Sequence, residues 1–472
     1  MSRRAKVTIT LSIGLFMASL DLFIVNIAFP KIEHDFTGTS LSTLSWVLNA
    51  YAIGYAALLV PAGRWADRSG RKRAFLTGLG VFSLSSAACA AAPSVGVLIA
   101  ARAIQSVGAA LMFPTSLGLL LPEYPPEKRH AAIGIWAAVG GIAAACGPPV
   151  GGLLVQAGWR WVFIVNVPIG IAAFLAGVRL LGERRELGTP RPDVAGAAVF
   201  TAAIAALTLA IVEGTSWGWG GARIVGLFAA AVVLVGVVAY RSVNHHSPLI
   251  DPAIVRTRSI ALANIGGLIF FAGFAAMLLC NVLFLTGVWH ESVLIAGLMI
   301  APGPAMAATF AFPGGLLGQR FGQRYVGFAG ALLVCAGGIW WRTHMGLAPN
   351  YAGAQLPAQL LTGIGVGLVL PTLSAAATAA LPPHRFATGT AMIGTSRQLG
   401  SALGVAILVA ILGSPDKANV LSVYRDGWEF VAGCAFVAAF ALLSVGRVRV
   451  AGAQLPDEAP LLGEPAGEVL AA

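Results

Sequence analysis

The sequence predicts an all-α integral membrane protein with fourteen transmembrane helices, and three observations predict it. Only 10% of the 472 residues are charged and 57% are hydrophobic, with a mean hydropathy of +0.83; soluble chains are roughly a quarter charged. The apolar residues fall in runs of about 20, the length that crosses a bilayer core. Lysine and arginine collect in alternate connections between those runs.

The runs follow in order. The first, 7–30, comes after the basic flank MSRRAK. It is too long for the apolar region of a signal peptide and lacks a small-residue cleavage site, so it reads as a span. The next seven cover 44–63, 74–92, 95–121, 130–155, 162–181, 194–213 and 222–240. The remaining six cover 259–284, 292–317, 325–342, 352–380, 385–413 and 427–446. Loops are short apart from 241–258. The polar segment 450–472 reads as a disordered cytoplasmic tail.

Charge sets the expected orientation. With the N-terminus inside, the inward connections carry 22 of the 30 Lys and Arg residues and the outward ones 6; Arg102 and Arg397 lie within spans. Positive residues stay on the cytoplasmic side, so both termini are expected there, in a cell inner (plasma) membrane.

One connection repeats. "GRWADRSGR" (63–71) follows the second span and "GLLGQRFGQ" (315–323) the tenth, with Gly63, Arg68 and Gly70 matched by Gly315, Arg320 and Gly322. Related loops at matched positions imply two related halves. The expected organisation is an N-terminal six-helix half (1–192), two inserted helices (193–245) and a C-terminal six-helix half (246–449).

Several further motifs carry a family resemblance: "LDLFIVNIAFP" (20–30), "RAIQSVGAA" (102–110), "GPPVGG" (147–152), "WRWVFIVNVPIG" (159–170), "PLIDPAIVRTRSIALANI" (248–265) and "SRQLGSALGVAI" (396–407). With the loop at 63–72, they make residues 10 to 446 resemble the major facilitator superfamily, in its fourteen-span drug:proton antiporter branch of EmrB/QacA-like multidrug efflux proteins. Ser106 and Ala143 stand where that branch commonly has glycine. The resemblance implies a cytoplasmic gate of Gly63, Asp67, Arg68, Gly70 and Arg71, with Asp67 latching onto the start of the thirteenth span near Arg385. It also implies an antiporter motif at Gly147, Pro148, Gly151 and Gly152 that limits leak through the closed interface.

Ionisable residues inside a membrane are costly and mark function. Asp21, Arg102 and Arg397 are the deep ones. At 1.5 Å per residue, Asp21 and Arg102 both lie about 20 Å from the cytoplasmic face of a core about 30 Å thick, so a pair is expected. Burial and a neighbouring guanidinium act oppositely on a carboxyl's hold on its proton. Moving Arg102 relative to Asp21 would therefore switch proton affinity, and the two are the expected proton-coupling residues. For Arg397 two readings stand: packing through backbone carbonyls, or contact with an anionic group on the cargo. Asn26, Asn49, Tyr51, Tyr55, Gln105, Asn264, Asn281 and Gln398 could line a substrate path or make interhelical hydrogen bonds.

The expected function is proton-coupled export of small, mostly apolar organic compounds, drugs or antibiotics, by alternating access. A dedicated exporter of one self-made metabolite is the alternative, and a non-transporting sensor a distant one. A membrane enzyme has little support: all seven histidines fall at or near run ends, and the five cysteines sit inside apolar runs without a Cys-x-x-Cys pair. The +11 net charge would suggest nucleic acid in a soluble protein, but no basic run is interleaved with aromatics. The expected partners are a small organic substrate and the bilayer, with no nucleic acid, no metal and no cofactor beyond the proton, acting as a monomer. The topology has a direct check. A cysteine at Ser69 should resist an impermeant thiol reagent in intact cells, whereas one at Thr39 should label quickly; equal labelling overturns the orientation.

Overall fold

The computed structural model describes residues 2–125, 129–183, 193–245, 248, 257–378, 386–413 and 419–445. The expected disordered tail lies outside them. Among the described residues there is no strand, and fourteen long helices follow one another. The first six are α1 (Arg3–Asp35), α2 (Leu41–Ser69), α3 (Arg71–Ala90), α4 (Val95–Leu120), α5 (Arg129–Gln156) and α6 (Trp161–Leu180). Then come α7 (Val194–Trp217) and α8 (Ala222–Asn244). The last six are α9 (Arg258–Gly287), α10 (Val293–Phe321), α11 (Gln323–His344), α12 (Leu356–Thr378), α13 (Phe386–Leu412) and α14 (Val420–Leu443). Each coincides with an expected span. One end of the bundle carries Arg3, Arg68, Arg71 and Lys72 and is called the basic end here.

Serine hydroxyls start several helices by taking an otherwise unpaired amide. Ser40 accepts from the Thr43 amide (3.2 Å), Ser94 from Val97 (3.4 Å) and Ser292 from Ile295 (3.3 Å). In lipid a helix must satisfy its backbone internally, so these caps matter at the three entry points opposite the basic end. Proline marks the irregularities: α10 changes from one helical segment to the next at Ala301–Pro302.

Two bundles form, α1–α6 and α9–α14. Without a hydrophobic drive between helices in lipid, close backbone contact does the holding. In the first bundle a Cβ on Gly78 of α3 would come within 2.9 Å of the Gly108 carbonyl on α4. In the second, a Cβ on Gly330 of α11 would come within 2.8 Å of the Gly365 carbonyl on α12. Gly78 and Gly330 are each the eighth residue of their helix. The repeated loops match as well. Gly70 turns with φ 115° and ψ 126°, and Gly322 with φ 97° and ψ 133°, a region that favours glycine. The internal repeat thus extends from loop sequence to backbone conformation and helix packing.

The bundles meet along two seams. On one, α2 packs against α13: Ala52, Ile53, Ala56 and Ala57 share a core with Leu399 and Ala402, and the Thr395 hydroxyl donates to the Ala56 carbonyl (3.2 Å). On the other, α5 packs against α10. The inserted helices are not bystanders. Ala197, Phe200 and Ile204 of α7 join the α2–α13 core, so α7 covers that seam. α8 packs on α7 and turns Val232, Val233 and Tyr240 outward, an apolar face suited to lipid.

The α7–α8 pair is tied at the basic end. Asp193 caps α7 through the Gly196 amide (2.8 Å) and accepts from Arg241 Nη2 on α8 (2.6 Å). Burial pushes the Asp193 carboxyl up, but the bonds from Arg241 and Gly196 and the charges of Arg241 and His245 outweigh it. The group is held below its ordinary value. A depressed carboxyl contributes stability above its unfolded pKa and loses it as pH falls through the folded one. Asp193→Ala is therefore expected to cost about 1 kcal/mol at neutral pH through the cap. Thermal unfolding of wild type and variant should converge in acid, below the usual carboxylate range; a pH-independent gap would remove the carboxylate from the explanation.

Candidate functional site

The segment LDLFIVN (20–26) is apolar on all sides of Asp21, so its carboxylate must find partners from other helices. RAIQ (102–105) supplies them, because residues three apart share a helix face. Arg102 Nη1 of α4 donates to Asp21 Oδ2 in a short ion pair, and Arg102 and Asp21 are each 1% exposed. Gln105 ties the pair together: its Oε1 accepts from Arg102 Nη1 (2.7 Å) and its Nε2 donates to Asp21 Oδ1 (3.1 Å). Nε2 also lies 2.8 Å from Ser86 Oγ on α3, and Cys89 of the same helix reaches Oε1. Arg102 Nε donates to the Val47 carbonyl of α2 (3.0 Å). The guanidinium lies 4.2 Å from the Tyr51 ring centroid, within cation–π range. Four helices thus converge on one charge pair. Taking two ions out of water costs several kcal/mol each, and these hydrogen bonds offset that cost.

Beside the pair, between the two bundles, lies a cavity of roughly 50 Å³. Asn26 and Asn49 line it from the first bundle, Phe271 and Phe274 from α9, and Arg397 and Ser401 from α13. Phe23 and Phe274 meet edge to face across the bundles, centroids 6.4 Å apart. Drug-sized sites run to about 300–1,000 Å³, so the cavity as it stands is smaller than a drug-sized site.

Other predicted residues fall elsewhere. Asn281 donates to the Met277 carbonyl (2.9 Å) and Asn264 accepts from the Ser396 hydroxyl (2.9 Å); neither lines the cavity, nor does the buried Gln398. Tyr55 packs edge to face with Tyr51 at 5.8 Å. Ser106, where glycine was expected, seats its hydroxyl against Gly54 of α2.

In the repeated loop Asp67 Oδ1 accepts from Arg71 Nε (2.7 Å), and Arg71 Nη1 donates to the Gly118 carbonyl at the end of α4 (3.2 Å). Asp67 thus pairs within its own bundle, across the Gly70 turn. Arg385, its expected neighbour, lies outside the described residues. Arg68 is exposed, and Gly63 sits in ordinary contact with Pro114. Glu183, which the sequence reading passed over, caps α3 through the amides of Lys72 (3.2 Å) and Arg73 (3.3 Å). Its carboxylate meets the positive end of that helix.

The GPPVGG helix works by closeness. Gly147 lies against Phe23 and Gly151 against Ile24 and Ile27, all of α1. A Cβ on Gly152 would come within 2.8 Å of Leu294 Cα on α10, and one on Gly297 within 2.5 Å of the Pro148 carbonyl. The motif therefore seals the α5–α10 seam at the end opposite the basic one.

Residues 11–404 match the family profile described as Major Facilitator Superfamily. The chain belongs to that superfamily. This major facilitator is 34% identical to the multidrug resistance protein Stp of Mycobacterium tuberculosis, over 86% of this chain and 75% of that protein. It is 31% identical to the tetracenomycin C resistance and export protein of Streptomyces glaucescens, covering 89% and 77%. It is 33% identical to the methylenomycin A resistance protein of Bacillus subtilis, covering 86% and 87%. Among solved structures, a D-xylose-proton symporter shares its fold with a TM-score of 0.68 at 13% identity, covering 93% of this chain and 97% of that one. This chain is a multi-span membrane transporter, not an enzyme, in a superfamily that generally needs no cofactor.

For this major facilitator the sequence leaves Gln105 between lining a substrate path and making interhelical hydrogen bonds, and the structure shows the second, with Gln105 between Asp21 and Arg102. Its three-residue spacing from Arg102 was the available signal. Ser86, Cys89, Phe271, Phe274 and Ser401 were missed, because nothing local distinguishes them from other small or aromatic membrane residues. Gln105→Ala should leave Asp21 Oδ1 and Ser86 short of a partner in a dry site, at a cost of about 1–3 kcal/mol. Thermal unfolding of the purified variant checks this; wild-type stability would mean the bridge carries nothing.

Proposed function

We propose that this major facilitator is a proton-coupled antiporter that exports small, mostly apolar organic compounds by alternating access, with both termini in the cytoplasm of the cell whose plasma membrane it spans. One observation carries the reading. Asp21 is a carboxylate held deep in the first bundle beside the cavity, and its partner is a guanidinium that cannot give up its proton. Of the two groups only Asp21 can change charge during a cycle. When it takes a proton, the attraction to Arg102 is lost, and Arg102 is released toward the cavity it already lines. That links protonation to the shape of the substrate site. The apolar lining suits apolar cargo, and the two seams are the surfaces along which rocking bundles would part. Asp67, Arg71 and the Gly70 turn would gate the basic end, and Gly147–Gly152 the other.

The names of several relatives support export of toxic compounds, and some carry a single antibiotic, tetracenomycin C or methylenomycin A. That favours, as a second reading, a dedicated exporter of one compound. A panel of toxic compounds on expressing cells separates the two, since a dedicated exporter protects against one chemical class. For the coupling itself, Asp21→Asn in proteoliposomes with an imposed pH gradient should abolish uphill transport while downhill flow persists. The double variant with Arg102→Ala should transport little worse than Asp21→Asn alone, because the pair acts as a unit. If Asp21→Asn still concentrates substrate, the proton travels elsewhere.

A further inference from the structure

Arg397 stands apart from the other deep charge. Its guanidinium lies 5.4 Å from the Phe271 ring centroid and faces the central cavity. Among the described residues no carboxylate, and no carbonyl, accepts a hydrogen bond from it. The packing role considered from sequence required such carbonyls. A guanidinium keeps its charge at any accessible pH, and a half-buried charge without a counter-charge is left poorly compensated. Arg102 offers no relief, since it is a like charge already matched by Asp21. Around the same cavity, Asn26 Oδ1 and Asn49 Oδ1 are buried without a hydrogen-bond partner. They are acceptors, open to a hydroxyl or amide of a bound molecule. Phe271 and Phe274 offer ring faces and edges to an aromatic body.

We propose that Arg397 is the specificity residue of the transport site and that it selects aromatic organic anions, holding one carboxylate or equally acidic oxygen group against its guanidinium. This rests on the cavity being the transport site. The fork of the guanidinium matches a carboxylate in two parallel hydrogen bonds, and the anion supplies the counter-charge the protein withholds. The cavity must widen to admit such a molecule, as alternating access provides. The lone positive charge also disfavours cations, so the site discriminates by repulsion as well as attraction.

The test is equilibrium binding of two matched probes, 2-naphthoate and 2-naphthamide, to the purified full chain. Wild type should bind naphthoate at least about tenfold more tightly, the worth of one charge-assisted contact. Arg397→Gln should abolish that preference, and Arg397→Lys, which keeps the charge and loses the fork, should retain part of it. Equal affinity of wild type for the two probes overturns the proposal whatever the variants do. So does an Arg397→Gln protein that keeps the preference, or failure of naphthoate to bind at millimolar concentration. Failure of the export reading looks different: no compound moves on a pH gradient, yet the naphthoate preference still depends on Arg397.

Discussion

Asp21 and Arg102 hold opposite charges in a place without water, and the centre of the first bundle is arranged around that fact. The pair needs its remaining donors and acceptors satisfied, or its desolvation outweighs its attraction. Gln105, Ser86, the Val47 carbonyl and the Tyr51 ring meet that need from α2, α3 and α4. Their positions constrain how those helices are rotated about their axes. The proton proposed to arrive at Asp21 would therefore act on a whole set of helix faces, which is what a coupling device requires.

Arg397 has no such setting. The first bundle matches its buried cation internally, and the second leaves its own facing the cavity. This asymmetry is notable because the bundles otherwise repeat each other, in the turns at Gly70 and Gly322 and in the contacts of Gly78 and Gly330. Under the proposed function, a repeated scaffold with unlike charges at its centre would divide labour: one half would handle the proton and the other would meet the cargo.

Backbone proximity supplies the remaining order. Where α5 meets α10, Gly152 and Gly297 leave room only for the neighbouring backbone. Contacts of this kind have no flexible side chains to adjust, so they hold closely or part. That suits a seam that must alternate between closed and open. α7 adds a cover over the α2–α13 seam, which the sequence marked as an insertion without indicating where it would lie.

How much was legible follows from the physics of each feature. Hydropathy, basic-residue bias and motif order depend on residues close together in the chain, so they were readable: fourteen helices, two repeats, the family. The Asp21–Arg102 pairing was readable too, because helical rise converts position into depth and charged residues in lipid have few alternatives. What depends on helix rotation was not. Local sequence leaves Gln105 open between lining a path and bridging helices, a choice the rotation of α4 decides, and nothing local marks Ser86 or Glu183. The sequence by itself determined that the chain crosses a membrane and which charges lie deep in it, since both follow from transfer free energy summed along the chain. Only the tertiary structure decided which deep charge is matched and which faces the cavity, because that depends on side chains from separate helices meeting at one point.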